Sequence, residues 1–132
     1  MAGGRRITPK AQMADVLEEA TPAPESIFPE ARADWDAAAA DLVGRRLLTA
    51  SVLPVLETYI NSVALARKAA IEIEERGLLV VSPTGVLKAN PATAVLNRSN
   101  DTVARLGVQL GLTPMSKSRT GMTPDDDASP FD

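Results

Sequence analysis

The chain has 132 residues, 45% of them hydrophobic and 23% charged, with a net charge of −3. This length fits a single domain. The sequence contains neither cysteine nor histidine, which excludes disulfides, Cys/His zinc sites and histidine acid–base chemistry. No stretch approaches the roughly 18 apolar residues of a membrane-spanning helix, so we expect a soluble protein.

The first 26 residues predict a mostly flexible arm, because residues 1–10 lack an apolar period and residues 21–26 are broken by proline. Residues 11–20 between them could form a short helix. Pro29 suits the first turn of a helix that runs to about Val43, and Trp35 is expected to pack in the core. Gly44 weakens the helix where it ends.

The longest predicted helix covers residues 51–76. Thr49 or Ser51 can cap it, Pro54 lies in its first turn, and Gly77 is a natural stop. Its apolar face is broad and needs partners on more than one side. A chain this small offers little partner surface, so we predict that this face forms the interface of a homo-oligomer. The predicted interface residues are Leu53, Leu56, Tyr59, Ile60 and Val63.

Residues 78–88 predict a small β-hairpin, since two short apolar runs flank a turn from Ser82 to Gly85. Such a hairpin must pack on something. Asn90 and Pro91 are a strong helix start, and Gly111 is a plausible stop. One face of this helix should carry Val95, Ser99, Val103, Leu106 and Leu110.

Thr113 and Pro114 repeat the cap-plus-proline start for a short basic helix. Residues 121–132 predict a disordered acidic tail. The expected fold class is therefore mainly α: a helical hairpin core with a long central helix, a small β-hairpin, a C-terminal helix and disordered termini. The expected organisation is an arm over 1–26, a helical oligomerisation domain over 27–120, and the tail over 121–132.

The order of several short motifs resembles the small terminase subunit of tailed bacteriophages. The resemblance covers most of residues 29–119 and includes Trp35, the Leu47-Leu48-Thr49 turn and Gly77. Its most specific part is Asn90-Pro91, then Gly111-Leu112-Thr113-Pro114, then Ser118-Arg119. Two departures are Ala50-Ser51, where the family often has an acidic residue, and the inserted-looking Met115-Ser116-Lys117.

The resemblance implies a non-enzymatic DNA-packaging factor without a cofactor, located in the host cytoplasm. Small terminase subunits form rings of many copies, bind double-stranded viral DNA at the packaging-initiation site and recruit the large subunit, which carries the ATPase and nuclease. The residues agree that the chain is not an enzyme of that type, because no Gly-rich loop ends in Gly-Lys-Ser/Thr.

Segregated charge predicts local basic patches on an acidic protein. Arg5, Arg6 and Lys10 are expected to contact DNA phosphates, and so are Lys117 and Arg119. Other charged groups favour structural roles. Arg45-Arg46 would complement the end of a helix, although contact with phosphate is the alternative. Arg98, Asp101 and Arg105 would form an ion-pair stripe, although a DNA-facing role stays open. The run Asp125–Asp127 predicts a solvated tail and no metal site.

Two further hypotheses belong to other classes of protein. One is a small dimeric helix-turn-helix transcriptional regulator that uses the corner from Leu47 to Ser51, although the almost wholly apolar residues 52–66 are unlike an exposed recognition helix. The other is a structural interaction module without DNA binding. The native mass separates a ring from a dimer and from a monomer.

Overall fold

The computed structural model describes residues 15–112 of the chain. A 3-10 turn, Pro29–Ala31, leads into helix α1, Arg32–Gly44. Helix α2 covers Leu53–Arg76, strands β1 and β2 cover Leu79–Val81 and Leu87–Ala89, and helix α3 covers Pro91–Leu110. The predicted mainly α fold with a β-hairpin is confirmed. The short helix predicted from Pro114 and the acidic tail lie outside the described residues.

The packed domain begins earlier in the sequence than the predicted arm over residues 1–26 implies. Leu17 N donates to the carbonyl of Leu48 at 2.8 Å, and Val16 forms a bridge with Thr49. The backbone at residues 15–20 is consequently extended or turned and not helical. Ile27 is only 1% exposed. The boundary placed after residue 26 is therefore too late, because the segment from Leu17 onward already belongs to the packed domain.

Helix α1 contributes the largest side chain of the core. Trp35 is fully buried, as predicted, and its Nε1 donates to the carbonyl of Thr21 at 2.8 Å. This bond satisfies the polar atom of the indole and ties the incoming segment to α1. Ten residues from all three helices and their connections form one core cluster: Ile27, Ala31, Trp35, Ala39, Leu42, Leu48, Leu56, Ile60, Ala64 and Leu110.

Helix α2 packs against both other helices. Leu56 and Ile60 lie in the core cluster with residues of α1, whereas Ala69 is buried outside that cluster. Part of the broad apolar face of this helix therefore finds its partners within the chain. The predicted side-chain cap is wrong: the Thr49 and Ser51 hydroxyls lie 3.1 Å from each other, and no side chain caps α2.

The hairpin and the start of α3 follow the predicted turn chemistry. Gly85 has a φ of 88°, which glycine adopts without strain, and its N–H donates to the carbonyl of Ser82 at 2.8 Å. Asn90 is 3% exposed. Its Oδ1 accepts from Ala92 N and its Nδ2 donates to Gly77 O, both at 2.9 Å. One side chain thus caps α3 and ties its start to the end of α2.

Helix α3 returns along α2, because Asn90 meets Gly77 at one end and Leu110 meets the core cluster at the other. Ser99 and Leu110 are buried, whereas Val95 is 38% exposed. The predicted apolar face is therefore inward at most of its positions. The helix ends at Gly111, whose left-handed φ of 73° completes the C-cap.

Candidate nucleic-acid interface

The cations predicted to bind DNA lie at the two ends of the chain, outside the described residues. They are Arg5, Arg6, Lys10, Lys117 and Arg119. Their contact with DNA stays a prediction. The described part of the chain supplies a separate set of basic side chains whose surroundings can be compared.

Four of the described cations are paired with carboxylates. Nη2 of Arg45 lies 2.7 Å from Oδ2 of Asp41, and Nζ of Lys68 lies 2.7 Å from Oε2 of Glu30. The other two pairs are Arg67 with Asp34, at 2.6 Å, and Arg76 with Glu72. The hydrogen bond from Lys68 is the main cause of a lowered pKa at Glu30, and the same ammonium lies 4.6 Å from the centre of the Phe28 ring. Each of these four cations is therefore already paired with a neighbouring carboxylate.

Arg98 and Arg105 of α3 differ from the paired cations. Both are exposed, and neither forms an ion pair with another residue of the range 15–112. The predicted stripe with Asp101 is therefore absent from this part of the chain. All three side chains are exposed, and an exposed ion pair gains too little to offset hydration and side-chain entropy.

The geometry of α3 places these two arginines on one side of the helix. They are seven residues apart, which is two turns and about 10 Å along the axis. The exposed amides of Asn97 and Gln109 flank them. We call these four residues the α3 outer face. Arginine and amide side chains are common donors to DNA phosphates and bases, and Asp101 is the one unfavourable charge between the arginines.

The corner between α1 and α2 has a structural role. The Arg45 guanidinium donates to the Asp41 carboxylate, and a Cβ added at Gly111 would lie 3.0 Å from Nη1 of Arg45. The guanidinium therefore lies against the end of α3, where a positive charge complements the helix dipole. The helix after this corner packs against α1 and α3 and buries Leu56 and Ile60, which is unlike an exposed recognition helix and counts against the helix-turn-helix alternative.

The five residues of the predicted oligomer interface fall into two groups by their burial within the single chain. Leu56 is 0% and Ile60 3% exposed within the single chain, so their side chains face its own core and not a neighbouring copy. This corrects the prediction for these two residues. Leu53, Tyr59 and Val63 are half-buried, and for them an interface role stays a prediction. Tyr59 and Val63 line an open groove of about 360 Å³.

Within residues 15–112, no group of three acidic side chains could hold a metal ion. The run Asp125–Asp127 lies outside this range. No helix in the described part of the chain is long and apolar enough to cross a membrane.

Comparison with known proteins identifies a family. The model of the phage terminase small subunit matches residues 31–127, which includes α1, α2, the hairpin and α3. A search of curated proteins and a search of solved structures found no significant match. Because the family match covers well over half of the chain, the protein belongs to the phage terminase small-subunit family.

Proposed function

We propose that this chain is the non-catalytic packaging subunit of its phage. It binds viral double-stranded DNA in the host cytoplasm, assembles into a ring of identical copies, and recruits and regulates the large ATPase-nuclease subunit. The observation that carries the proposal is the family match over residues 31–127. The fold is compatible with this role, since its exposed helix α3 offers polar and basic side chains outward.

DNA contact is proposed at three sets of cations. Two are the terminal sets, Arg5, Arg6 and Lys10 and the pair Lys117 and Arg119. The third is the pair Arg98 and Arg105 on the α3 outer face. These two arginines have no described carboxylate partner to displace, so phosphate contact costs them no existing ion pair. Lys117 and Arg119 follow the end of α3 by seven and nine residues.

The acidic monomer is expected to bind DNA weakly, and repetition of its phosphate contacts around a ring would raise the affinity. Each phosphate contact releases condensed counterions, so binding should weaken steeply as salt rises. Binding without sequence preference and loss of affinity at high salt are both expected from such contacts.

The test is a gel-shift titration over a salt series with DNA that carries the packaging-initiation site. The double variant R98A/R105A should bind more weakly, and the slope of log K against log salt should be shallower by about 2. The matched control is R67A/R76A, which removes the same charge from two arginines that are paired with acids, and it should keep the parent slope.

The terminal sets are tested in the same series. R5A/R6A/K10A and K117A/R119A should each weaken binding and flatten the salt dependence. If all three variants bind like the parent at every salt concentration, none of these cations contacts DNA. If the unaltered chain shows no affinity even at low salt, the proposed DNA-binding role itself is wrong.

A further inference from the structure

A groove between α1 and α2 has a mostly apolar lining and an ion pair at each end. Arg67 pairs with Asp34 at one end, and Arg45 pairs with Asp41 at the other. These two acids are seven residues apart, which is about 10 Å along α1. The lining between the pairs comes from Ala37, Ala38, Tyr59, Ile60, Val63 and Leu112. We call this space the α1–α2 groove. It fits an uncharged side chain, because the acids at its ends already have cationic partners.

The described part of the chain ends inside this groove. Leu112 is half-buried, lines the groove and packs against the core cluster, so the residues that follow it start from within the groove. Residues 113–116 are uncharged, and the first cation after them is Lys117. Three residues span at most about 10 Å, which is also the length of the groove along α1. Met115 is therefore within one groove length of Leu112 in any backbone conformation.

Arg45 has two buried donors that the described residues leave without an acceptor. Its Nη2 donates to Asp41, whereas Nε and Nη1 are buried and bond no described residue. Nη1 lies beside Gly111, where an added Cβ would be 3.0 Å away. A buried donor without an acceptor costs free energy, so the guanidinium requires an oxygen close to the point where the chain leaves α3. The chain continues from there through Thr113, which offers a carbonyl and a hydroxyl oxygen.

We propose that the segment 113–115 occupies the α1–α2 groove of its own chain. Met115 packs on the ring of Tyr59 between the two helices, and Arg45 donates to an oxygen of Thr113. Methionine suits this position because its unbranched side chain fills irregular gaps and its sulfur packs favourably against aromatic rings. The segment would thereby fill the apolar part of the groove and supply an acceptor for the guanidinium.

The chain's own segment is favoured over other occupants. Leu112 already lies in the groove, so the residues attached to it have a higher effective concentration there than any segment of another molecule. The beginning of the described chain lies elsewhere, since Val16 and Leu17 line a separate hollow with Gly44 and Arg46.

Occupation of the groove has a consequence for the cations that follow. Lys117 and Arg119 come two and four residues after Met115, so an anchored Met115 fixes where both leave the fold. Groups that are held in place before binding lose less conformational entropy when they contact a partner. This consequence rests on the proposed contact of these two cations with DNA, whereas occupation of the groove does not depend on it.

The first test is disulfide formation in the full-length chain, which has no cysteine of its own. A37C/M115C places one thiol at an exposed position of the groove lining and one in the proposed occupant, and a disulfide forms only when the two Cα atoms are within about 7 Å. The control is Q109C/M115C, with its first thiol at an exposed position in the last turn of α3. We expect A37C/M115C to oxidise about tenfold faster, although a mobile segment would close the shorter loop of the control more readily.

The second test observes Met115 directly by methyl NMR of the full-length chain. The chain has four methionines and one tyrosine, so a contact between a methionine methyl and the ring of Tyr59 is easily assigned. The Met115 methyl should show this contact and should be shifted from its position in the urea-unfolded chain. Loss of the signal in Met115→Ala confirms its assignment. The methyl of Met122, which lies in the predicted tail, is the control and should show no contact with the ring.

The third test connects the groove to DNA binding. Met115→Ser removes no charge, so the proposal predicts a lower affinity in the gel shift with an unchanged slope of log K against log salt. K117A/R119A should instead flatten that slope, because it removes phosphate contacts. Met122→Ser is the matched control and should bind DNA like the parent.

Three results would overturn the inference. One is oxidation of A37C/M115C no faster than that of the control. Another is a disulfide that joins two chains on a non-reducing denaturing gel, which would mean that the segment of another copy fills the groove. The third is a Met115 methyl without contact to Tyr59. A full-length chain that shows the contact but does not bind DNA would contradict the proposed function and leave the groove assignment intact.

Discussion

The double role of Asn90 gives the sharpest test of the fold. Asn90→Ala removes the cap of α3, which costs about 1 kcal/mol, and the bond from Nδ2 to the Gly77 carbonyl, which is worth about 1 kcal/mol. The expected loss of unfolding free energy is therefore about 2 kcal/mol. For a domain near 100 residues, this lowers the melting temperature by roughly 10 °C.

Asn90→Ser separates the two roles. The hydroxyl oxygen can still accept from a backbone N–H at the start of α3, but the shorter side chain no longer donates to the Gly77 carbonyl, so the loss should be about 1 kcal/mol. Asn100→Ala, at an exposed position of α3, should change stability by at most about 0.5 kcal/mol.

Urea and thermal unfolding at one fixed protein concentration would measure this series, since assembly makes the melting temperature depend on concentration. The account requires the order parent, Asn90→Ser, Asn90→Ala from most to least stable. A loss below about 0.5 kcal/mol for Asn90→Ala would refute the reasoning. Equal losses for the two variants would show that the capping oxygen contributes nothing.

Two further predictions concern single sites. Gly111→Ala should lower the unfolding free energy measured in urea by about 1–2 kcal/mol, because alanine is strained at the left-handed φ of 73°. The added Cβ would also press on the Arg45 guanidinium. Unchanged stability would contradict the described C-cap. Tyr59 is the only tyrosine, so absorbance at high pH reports its ionisation alone. Burial raises the pKa of Tyr59 above the ordinary value of 10.0, so its titration midpoint should lie above that of the urea-unfolded chain, and stability should fall as pH rises through the unfolded value. Coincident midpoints would count against the described packing of this side chain.

Local sequence signals predicted the helices well, because their starts and stops depend on neighbouring residues. Asn90-Pro91 and Gly111 mark the two ends of α3 as observed, and Pro54 marks the first turn of α2. The turn at Gly85 has the same local origin. In each case the backbone conformation is set within about four residues, which is the range that a pattern can show.

Long-range contacts were not predictable in the same way. Leu17 packs partly buried against the core, and its N–H bonds the carbonyl of Leu48, thirty-one positions later. No local pattern shows this pairing, so the proline-rich segment predicts a flexible arm from sequence alone. Asn61 of α2 bonds the backbone of Ser26 and Phe28, another pairing that no spacing reveals. Helix periodicity identified the apolar face of α2 but could not tell partners within the chain from partners in another copy.

The candidate surfaces show the same contrast between what a local sequence pattern predicts and what only the folded structure shows. Charge runs predict the terminal cations as DNA contacts, and because those residues lie outside the described range this stays a prediction. The lack of an ion pair between Arg98 and Asp101 follows from side-chain solvation, which sequence spacing does not determine. The alternation of Leu79 and Val81 was a readable strand signal, yet only the structure shows that this face is exposed.

The most direct test of the proposed function mixes the purified full-length chain with the large terminase subunit of the same phage and viral DNA, and measures ATP turnover and DNA packaging. The account predicts no turnover by this chain alone and a marked change in the large subunit's DNA-dependent activity when it is added. The account would be contradicted by turnover that a point mutation in this chain abolishes. It would equally be contradicted if the large subunit behaved identically with and without this chain.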